Sequence, residues 1–338
     1  SSKKQIVSID IPTGINSDSG EILGLAVKSN ITLAMGFFKP AHFLLPSKKF
    51  CGHICLLDLK LKVPKNCHPE IFLANPETFV KKLPKFDLEV NKYSKGHTFV
   101  LGGTMAGASR IVSLCARKIG SGLSTILVNS KNLKFFCGVE PGTIVTEFTL
   151  DKIPKRIDVL VLGPGLGKFF DRNNIIKIIK EVNCPIILDA DAISIFKNYK
   201  NEFYKILQTK RNIILTPHQG EFDRVFNSNI KNKIHRCLEA SKKISNIVVL
   251  KGNDTIVAFP EGRVVIYDNA KSSLATAGTG DMLCGIIAGL IAQKMKLNFA
   301  LIAGIWIHGE LSNQKESIIV EDFIKTIPKV LYRLKNNN

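Results

Sequence analysis

The sequence has 338 residues, of which 45% are hydrophobic and 22% are charged. This composition excludes an intrinsically disordered chain, because enough apolar surface is present to offset the entropy lost on folding. No apolar run reaches the roughly 18 residues that cross a bilayer, so we predict no membrane partner. The length predicts two domains, or one large α/β domain with an appendage. Because the chain opens with Ser1-Ser2-Lys3-Lys4, without a Met or a secretory signal, we expect it to begin inside a longer protein.

The formal net charge is +19, from 47 basic and 28 acidic residues. The lysines are scattered among Asn and Ile, as in residues 177–180 and 230–233, and no aromatic residues alternate with them. This pattern favours solvated faces over a nucleic-acid surface, so we predict no nucleic-acid partner. The eight cysteines contain no CxxC pair, which predicts free thiols in the cytoplasm.

Residues 1–60 form the first predicted block. Apolar runs predict strands at 5–9, 31–37 and 53–59. Three strands without a long helix cannot cover both faces of a parallel sheet, so the block is predicted to be incomplete. Residues 61–90, which are rich in proline, are predicted to form a linker that carries a short helix at most.

From residue 91 to residue 338 the pattern alternates between strands and helices. Two of the helices, at 281–292 and 299–311, are predicted to close the chain. The alternation predicts a mostly parallel sheet with helices on both faces. The other predicted elements are strands at 98–101, 124–128, 158–162, 185–188, 212–215 and 247–250, helices at 107–119 and 171–182, and a hairpin over 255–267.

Gly-rich and polar residues follow nearly every predicted strand, at the sheet edge where α/β proteins bind ligands. The strongest cluster is Gly278-Thr279-Gly280-Asp281, just before an apolar helix. The glycines let the backbone approach an anion, toward which the free N–H groups of the helix start would point. An Asp in a first turn suits any helix. Beside an anion site, however, a carboxylate repels phosphate unless it takes a proton from a hydroxyl nucleophile, which is the role we predict for Asp281.

This motif resembles the Gly-Thr-Gly-Asp signature of the ribokinase-like superfamily. More closely, the chain resembles the ADP- or ATP-dependent NAD(P)H-hydrate dehydratases over about residues 90–335. Six motifs in the order of that family make the resemblance specific, although Thr104 stands where the family usually has Ser. The other five are Lys95-Gly96-His97 with Gly102-Gly103-Thr104, Gly163-Pro164-Gly165-Leu166-Gly167, Leu188-Asp189-Ala190-Asp191, Thr216-Pro217-His218-Gln219-Gly220-Glu221 and Lys251-Gly252-Asn253-Asp254-Thr255.

The resemblance implies a ribokinase-like fold and an enzyme that repairs the (6S) hydrate of NADH or NADPH. ADP, or ATP, would phosphorylate the ring hydroxyl, and loss of phosphate would regenerate NAD(P)H and leave AMP. Mg²⁺ would bridge the phosphates, and the enzyme would be a cytoplasmic homo-oligomer.

The resemblance also implies the site residues. Asp281 would be the base and would contact the substrate. Glu221 would either reach water near the metal or serve as a helix carboxylate, and His308 has no predicted role. The hydrated dinucleotide would contact Ala108, Gly165, Gly167 and His218. The nucleotide would contact Lys251, Gly252, Asn253, Asp254, Thr255, Gly278, Thr279 and Gly280.

Residues 1–60 resemble the end of the NAD(P)H-hydrate epimerase domain, through Asp10-Ile11-Pro12-Thr13-Gly14 and Gly36-Phe37-Phe38-Lys39-Pro40. The resemblance implies a Rossmann-like remnant in which Asp10 contacts substrate and Thr13 contacts K⁺. A Pro-Gly turn after a strand also needs no ligand. The Asn-Asn-Gly-Gly-Asp motif of that family does not occur in these residues, so we predict no epimerase activity for them.

Three other functions stay open. A ribokinase-like kinase for a vitamin precursor would share the Gly-Thr-Gly-Asp chemistry. A nicotinamide dehydrogenase would use residues 163–167 and Asp189, but the spacing Gly-x-Gly-x-Gly departs from the dinucleotide-binding fingerprint. A nucleic-acid-binding scaffold would use the net positive charge. The pairing of Thr216-Pro217-His218 with Lys251-Gly252 favours the dehydratase.

Overall fold

The computed structural model describes residues 4–63, 70–85, 89–151, 153–154, 156–167, 170–313 and 319–336. Cys67, for which a free thiol is predicted, and the linker residues 64–69 and 86–88 lie outside these ranges. Among the described residues, no helix combines the length and the apolar character that crossing a membrane requires.

The N-terminal block forms a small parallel sheet of three strands. These are β1 (Val7–Ile9), β2 (Ile31–Met35) and β3 (His53–Leu57), in spatial order β1-β2-β3. Between β2 and β3 lies the short helix α1 (Lys48–Cys51). The segment that leads into α1 is buried against the rest of the molecule, with Phe43 and Leu44 in the main core. The block is therefore packed onto the larger part of the chain.

The larger part contains one sheet of ten described strands in the order β4-β13-β12-β11-β10-β9-β8-β5-β6-β7. All neighbours pair in parallel except β12, which runs antiparallel to both β11 and β13. The strands are β4 (Ile71–Leu73), β5 (His97–Gly102), β6 (Leu123–Val128), β7 (Ile144–Glu147), β8 (Val159–Leu162), β9 (Ile186–Leu188), β10 (Ile213–Leu215), β11 (Ile247–Leu250), β12 (Ile256–Ala258) and β13 (Val264–Ile266).

Helices cover both faces of this sheet. Successive strand residues alternate between two apolar clusters, so that Val159 and Val161 face one layer while Leu160 and Leu162 face the other. The layer against Val161 contains α2 (Ala106–Lys118), α8 (Thr279–Ala292), α9 (Leu297–Leu311) and α10 (Val320–Asn336). The layer against Leu160 contains α3 (Arg172–Glu181), α5 (Lys200–Gln208), α6 (Gln219–Val225) and α7 (Lys233–Ile244), with the short α4 (Asp191–Ser194). The predicted fold class, a mostly parallel sheet with two helical layers, is confirmed.

Several elements differ from the sequence predictions, among them the helices α4 to α7, which were not predicted. The stretch predicted as a linker with a short helix at most contributes the edge strand β4, whose Ile71 pairs with Val264 of β13. The edge strand β7 was also not predicted, and α10 adds a third closing helix where two were predicted. Both strands have only three or four residues, too few for a periodic pattern. Helix α10 contains Pro328 in its interior. Because proline normally breaks a helix, the sequence did not predict a helix there. The domain limits at 60 and 90 stay predictions.

Candidate active site

A cavity of about 360 Å³ opens at the carboxyl ends of β10 and β11 and at the start of α8. In a parallel sheet this edge is where loops from neighbouring strands converge. Most of the residues predicted to bind nucleotide meet there, together with side chains that the sequence did not single out. Its lining includes His218, Lys251, Gly252, Asn253, Thr255, Thr279 and Gly280, and also Tyr267, Asn269, Leu283 and His308.

The first turn of α8 is held in a fixed geometry. Gly278 has a φ of +86°, a conformation that favours glycine. The Thr279 hydroxyl donates to the carbonyl oxygens of Leu274 at 2.8 Å and Thr276 at 2.9 Å, and His308 Nε2 donates to the Thr279 carbonyl at 2.9 Å. No side chain caps the start of this 14-residue helix, so its first N–H groups can receive an anion.

Lys251 and Asp189 form a buried ion pair beside that turn. Lys251 Nζ lies 2.6 Å from Asp189 Oδ1, and the two side chains are 18% and 3% exposed. A Cβ placed on Gly280 would lie 3.4 Å from Lys251 Nζ and 3.7 Å from Asp189 Oδ2. Burial lowers the pKa of Lys251, but Asp189 and the neighbouring Cys284 and Glu221 raise it, and the net shift is upward. The ammonium is therefore a permanent positive charge next to the start of α8.

Asp281 is the second residue after Thr279 and is only partly exposed. Burial raises the pKa of its carboxyl to about 6, the negative charge of Asp189 adds to the rise, and Lys251 opposes it. A carboxylate with a pKa close to neutral is suited to accept a proton from a bound hydroxyl group.

His218 begins α6 and caps it. Its Nδ1 accepts hydrogen bonds from the N–H groups of Gly220 at 2.9 Å and Glu221 at 3.3 Å. In return, Glu221 Oε2 accepts from the backbone N–H of His218 at 2.9 Å. The Glu221 carboxylate thus serves as a helix cap, the structural alternative left open by the sequence. The His218 side chain is still 54% exposed and lines the cavity, so a ligand can reach its Nε2 edge.

The loop 251–255 is shaped by two of its own side chains. The Thr255 hydroxyl donates to the Gly252 carbonyl at 2.7 Å and accepts from the Gly252 N–H at 3.1 Å. Asp254 is directed away from the cavity, because its carboxylate pairs with Lys233 at 2.5 Å and accepts from the Leu45 N–H at 2.9 Å. Any contact of Asp254 with a nucleotide would therefore come from its backbone.

Ala108, Gly165 and Gly167, predicted to bind the hydrated dinucleotide, meet at the ends of β5 and β8. The Met105 N–H donates to the Gly165 carbonyl at 3.1 Å, and a Cβ on Gly165 would lie 3.0 Å from the Ala108 Cβ. The Gly167 N–H donates to Asp191 Oδ2 at 2.9 Å. These residues are outside the lining of the first cavity. Gly167 lines a second cavity of about 420 Å³ with Asp191.

The two residues predicted for the epimerase part lie in the small sheet. The Asp10 carboxylate pairs with Lys39 and accepts from the Met35 N–H at 3.0 Å. Burial raises the pKa of Asp10, but the hydrogen bonds from Lys39 and Met35 outweigh it and hold the pKa below its usual value. Thr13 is exposed, and its carbonyl accepts from the Val27 N–H at 3.0 Å.

Sequence reasoning missed several residues of this site, among them Asp189 and His308. Asp189 was considered only for a dehydrogenase, and His308 had no predicted role. Asp189 follows β9 and Lys251 follows β11, which lie on either side of β10. Knowledge of the strand order would have predicted that the Asp189 and Lys251 side chains lie close together. Nothing in the sequence around His308 indicates its bond to Thr279.

Family models and curated relatives match most of this chain. A family model described as NAD(P)H-hydrate dehydratase matches residues 98–325, and one described as YjeF-related protein N-terminus matches residues 1–41. The bifunctional NAD(P)H-hydrate repair enzyme Nnr of Coxiella burnetii is 30% identical over 317 residues, covering 90% of this chain and 63% of that protein. Its counterpart in Synechocystis is 30% identical over 344 residues, covering 94% of this chain and 64% of that protein. The chain thus spans less than two thirds of the length of these relatives.

Solved structures share the fold. The ADP/ATP-dependent NAD(P)H-hydrate dehydratase of Bacillus subtilis, co-crystallized with ATP/Mg²⁺, has a TM-score of 0.66 at 23% identity, covering 80% of this chain and all of that one. A ribokinase-like superfamily protein of Enterococcus faecalis has a TM-score of 0.67 at 23% identity, covering 80% of this chain and 99% of that one.

Proposed function

The chain belongs to the NAD(P)H-hydrate dehydratase family, and we propose that it dehydrates the (6S) hydrate of NADH or NADPH at the expense of ADP. The products are NADH or NADPH, AMP and phosphate. The observation that carries this proposal is the Asp281 carboxylate, with a pKa raised to about 6, next to the uncapped first turn of α8.

ADP is proposed to bind in the 360 Å³ cavity. The loop 251–255 contacts its AMP portion, and the Lys251 ammonium faces its β-phosphate. The N–H groups of residues 278–280 hold the phosphoryl group that is transferred, as donors fixed in place before the reaction begins. The B. subtilis protein that shares this fold was co-crystallized with ATP/Mg²⁺, which supports a nucleotide in this family but does not choose between ADP and ATP.

Asp281 is proposed to accept the proton of the C6 hydroxyl. The hydroxyl oxygen then forms a bond to the β-phosphorus of ADP, the bond from that phosphorus to the AMP oxygen breaks, and AMP leaves. Loss of phosphate from C6 with a ring proton restores the double bond of the nicotinamide ring. The hydrated dinucleotide is proposed to lie between Ala108, Gly165, Gly167 and His218.

Mg²⁺ is proposed to enter with the nucleotide. The described residues contain no group of three or more His, Cys, Asp or Glu side chains arranged for a metal ion. Mg²⁺ keeps several waters and binds mainly to substrate phosphates with one or two protein carboxylates. Glu221 caps α6 through its Oε2, so we propose that only its Oε1 would reach the ion through water. The ion supplies charge neutralisation on the phosphates.

A spectroscopic assay tests the proposal. The protein is mixed with (6S)-NADH hydrate, ADP and Mg²⁺, and absorbance is followed at the reduced-nicotinamide band. We expect recovery of NADH that depends on ADP. A stable phosphorylated product without NADH would instead support the vitamin-precursor kinase.

A homo-oligomeric state, a cytoplasmic location and a K⁺ contact at Thr13 stay predictions from the sequence.

A further inference from the structure

Asp189 is a buried carboxylate that the proposed mechanism does not use. It follows β9 and is 2% exposed. Its Oδ1 pairs with Lys251 Nζ at 2.6 Å, and its Oδ2 accepts from the Cys284 thiol at 3.5 Å. A buried ion pair is often no more stabilising than apolar residues of the same volume. Its position beside the cavity therefore calls for an explanation other than stability.

The ion pair lies next to the phosphoryl site. The Cβ that Gly280 lacks would come within 3.4 Å of Lys251 Nζ and 3.7 Å of Asp189 Oδ2. The free space above Gly280, where the transferred phosphoryl group is proposed to bind, therefore borders the Lys251 ammonium. A lysine has a flexible stem of four carbons, so the bond to Asp189 restricts the ammonium to this place.

Asp189 and Lys251 also dominate the electrostatic environment of Asp281. Asp281 also acts on Cys115 of α2 and Cys284 of α8, and His308 of α9 bonds to the carbonyl of Thr279 in the same helix turn. Burial raises the pKa of both thiols well above the usual value and lowers the pKa of His308 to about 4. All three are thus neutral near pH 6. In the described part of the chain, this leaves Asp189 and Lys251 as the charges that act on Asp281.

We propose that Asp189 is a positioning residue for the dehydration: it fixes the Lys251 ammonium at the phosphoryl site. Its carboxylate also places a negative charge beside Asp281, because Asp189 Oδ2 lies 3.7 Å from the Cβ position of the preceding Gly280. The inference rests on the proposed function. Asp189 itself makes and breaks no bond. Its two effects are separable, because one depends on geometry and the other on charge alone.

The test compares three variants of the full chain. Asp189→Asn removes the charge and keeps the shape, and Asp189→Glu keeps the charge but changes the geometry. Asp158→Asn is the control, since Asp158 is also partly buried and paired with a lysine, Lys294, but at the opposite end of the sheet. The titration of Asp281 is followed by its carboxyl ¹³C resonance, assigned by its loss in Asp281→Asn. ADP affinity is measured by calorimetry without the hydrated dinucleotide.

We expect Asp281 in the unchanged protein to titrate near pH 6. In Asp189→Asn the midpoint falls by about one pH unit, because Lys251 then acts on Asp281 without the opposing carboxylate. In Asp189→Glu the midpoint stays near the original value. Both substitutions weaken ADP binding by at least ~10-fold, since a charged hydrogen bond no longer holds the ammonium in place. Asp158→Asn changes neither quantity.

An unchanged Asp281 midpoint in folded Asp189→Asn overturns the inference, as does unchanged ADP affinity. If Asp189→Asn does not fold, Asp189→Ser takes its place with the same expectations, because it leaves room for a water beside Lys251. The readouts need no turnover. A protein that shows these shifts but recovers no NADH from the hydrate would therefore contradict the proposed function while supporting the role of Asp189.

Discussion

Gly280 and Asp281 are consecutive residues for which we propose different roles. Gly280 lies where a side chain would fill the space beside Lys251 Nζ, 3.4 Å from its Cβ position. Asp281 supplies a carboxylate that burial and Asp189 keep weakly acidic. We propose that the backbone N–H groups bind the anion and that the neighbouring Asp281 side chain accepts the proton.

Asp281→Asn removes the base and keeps the size of the side chain. We expect the dehydration rate to fall by at least ~10²-fold, the lower range for loss of a general base, while ADP affinity changes much less. Steady-state rates and calorimetry on the same preparation measure both. A variant that keeps most of its rate would exclude Asp281 as the base.

The rate is expected to depend on pH in the acid range. Asp281 must be ionised to accept a proton, and its pKa is raised to about 6. We therefore expect kcat/KM to be full above this pH and to fall as the pH drops through it. His308, whose pKa is lowered to about 4, stays neutral over this range. A kcat/KM that stays constant down to pH 5 and falls only below it would show that another group controls the rate.

Gly280→Ala and Gly280→Val test the phosphoryl site in graded steps. A first Cβ occupies space 3.4 Å from the Lys251 ammonium, an ordinary van der Waals contact, and the branched Val also fills the space above it. We expect ADP affinity to fall in the Gly280→Ala variant and to be lost in the Gly280→Val variant. Circular dichroism should show an intact fold in both. Normal ADP affinity in folded Gly280→Val would contradict the anion site.

Site residues that belong to short sequence motifs could be singled out from the sequence. Site residues whose position depends on contacts with distant parts of the chain could not. Asp281 and Lys251 were singled out from the sequence because each lies in a Gly-rich motif beside an element end. The Asp189 partner of Lys251 depends on the spatial order of strands. The orientation of Asp254 depends on Leu45, which is 209 residues away.

At the scale of elements, the buried strands and the helices α2, α3, α8 and α9 were predicted close to their observed limits, whereas α5, α6 and α7 were not predicted. The strand at 247–250 coincides with β11 (Ile247–Leu250), because four β-branched and aliphatic residues end at a Lys-Gly turn. Strand β4 (Ile71–Leu73) was missed because it owes its existence to pairing with β13. Edge strands of this length have too little local signal to be found without the partner strand.

The segment between β2 and α1 is expected to be part of the same folding unit as the large sheet. Leu44 is fully buried and lies in the core on the α3 side of that sheet. Leu44→Ala should therefore lower the free energy of unfolding by about 2–5 kcal/mol, in a single transition on urea denaturation.

Leu25→Ala is the matched control, since this residue of the same block is 93% exposed. Its effect should stay within about 0.5 kcal/mol. A separate early transition, with the main one unchanged in Leu44→Ala, would show that the block unfolds on its own.

At the scale of the whole molecule, the N-terminal block contacts two residues that are chain neighbours of the lining of the 360 Å³ cavity. The Leu45 N–H reaches Asp254 in the loop 251–255, and Lys48 Nζ donates to the Asp268 carbonyl at 2.9 Å, next to the lining residue Asn269. In this chain, the segment after the YjeF-related match thus supports the site proposed for ADP.

The 338-residue chain is expected to leave the R hydrate to its slow spontaneous epimerisation. Asp10 is engaged by Lys39 and the Met35 N–H, and three strands provide little of the supporting shell that holds catalytic groups in place. Pure R hydrate, supplied with ADP and Mg²⁺, should be recovered no faster than it epimerises without protein. Faster recovery would mean that residues 1–60 act as an epimerase.

The most direct measurement of the dehydratase assignment is product stoichiometry. Purified (6S)-NADPH hydrate, ADP and Mg²⁺ are incubated with the protein, and NADPH, AMP and phosphate are quantified together. Equal amounts of the three, formed at a rate that Asp281→Asn abolishes, are the predicted result. AMP or ADP consumption without NADPH, or NADPH recovery that needs no nucleotide, would contradict it.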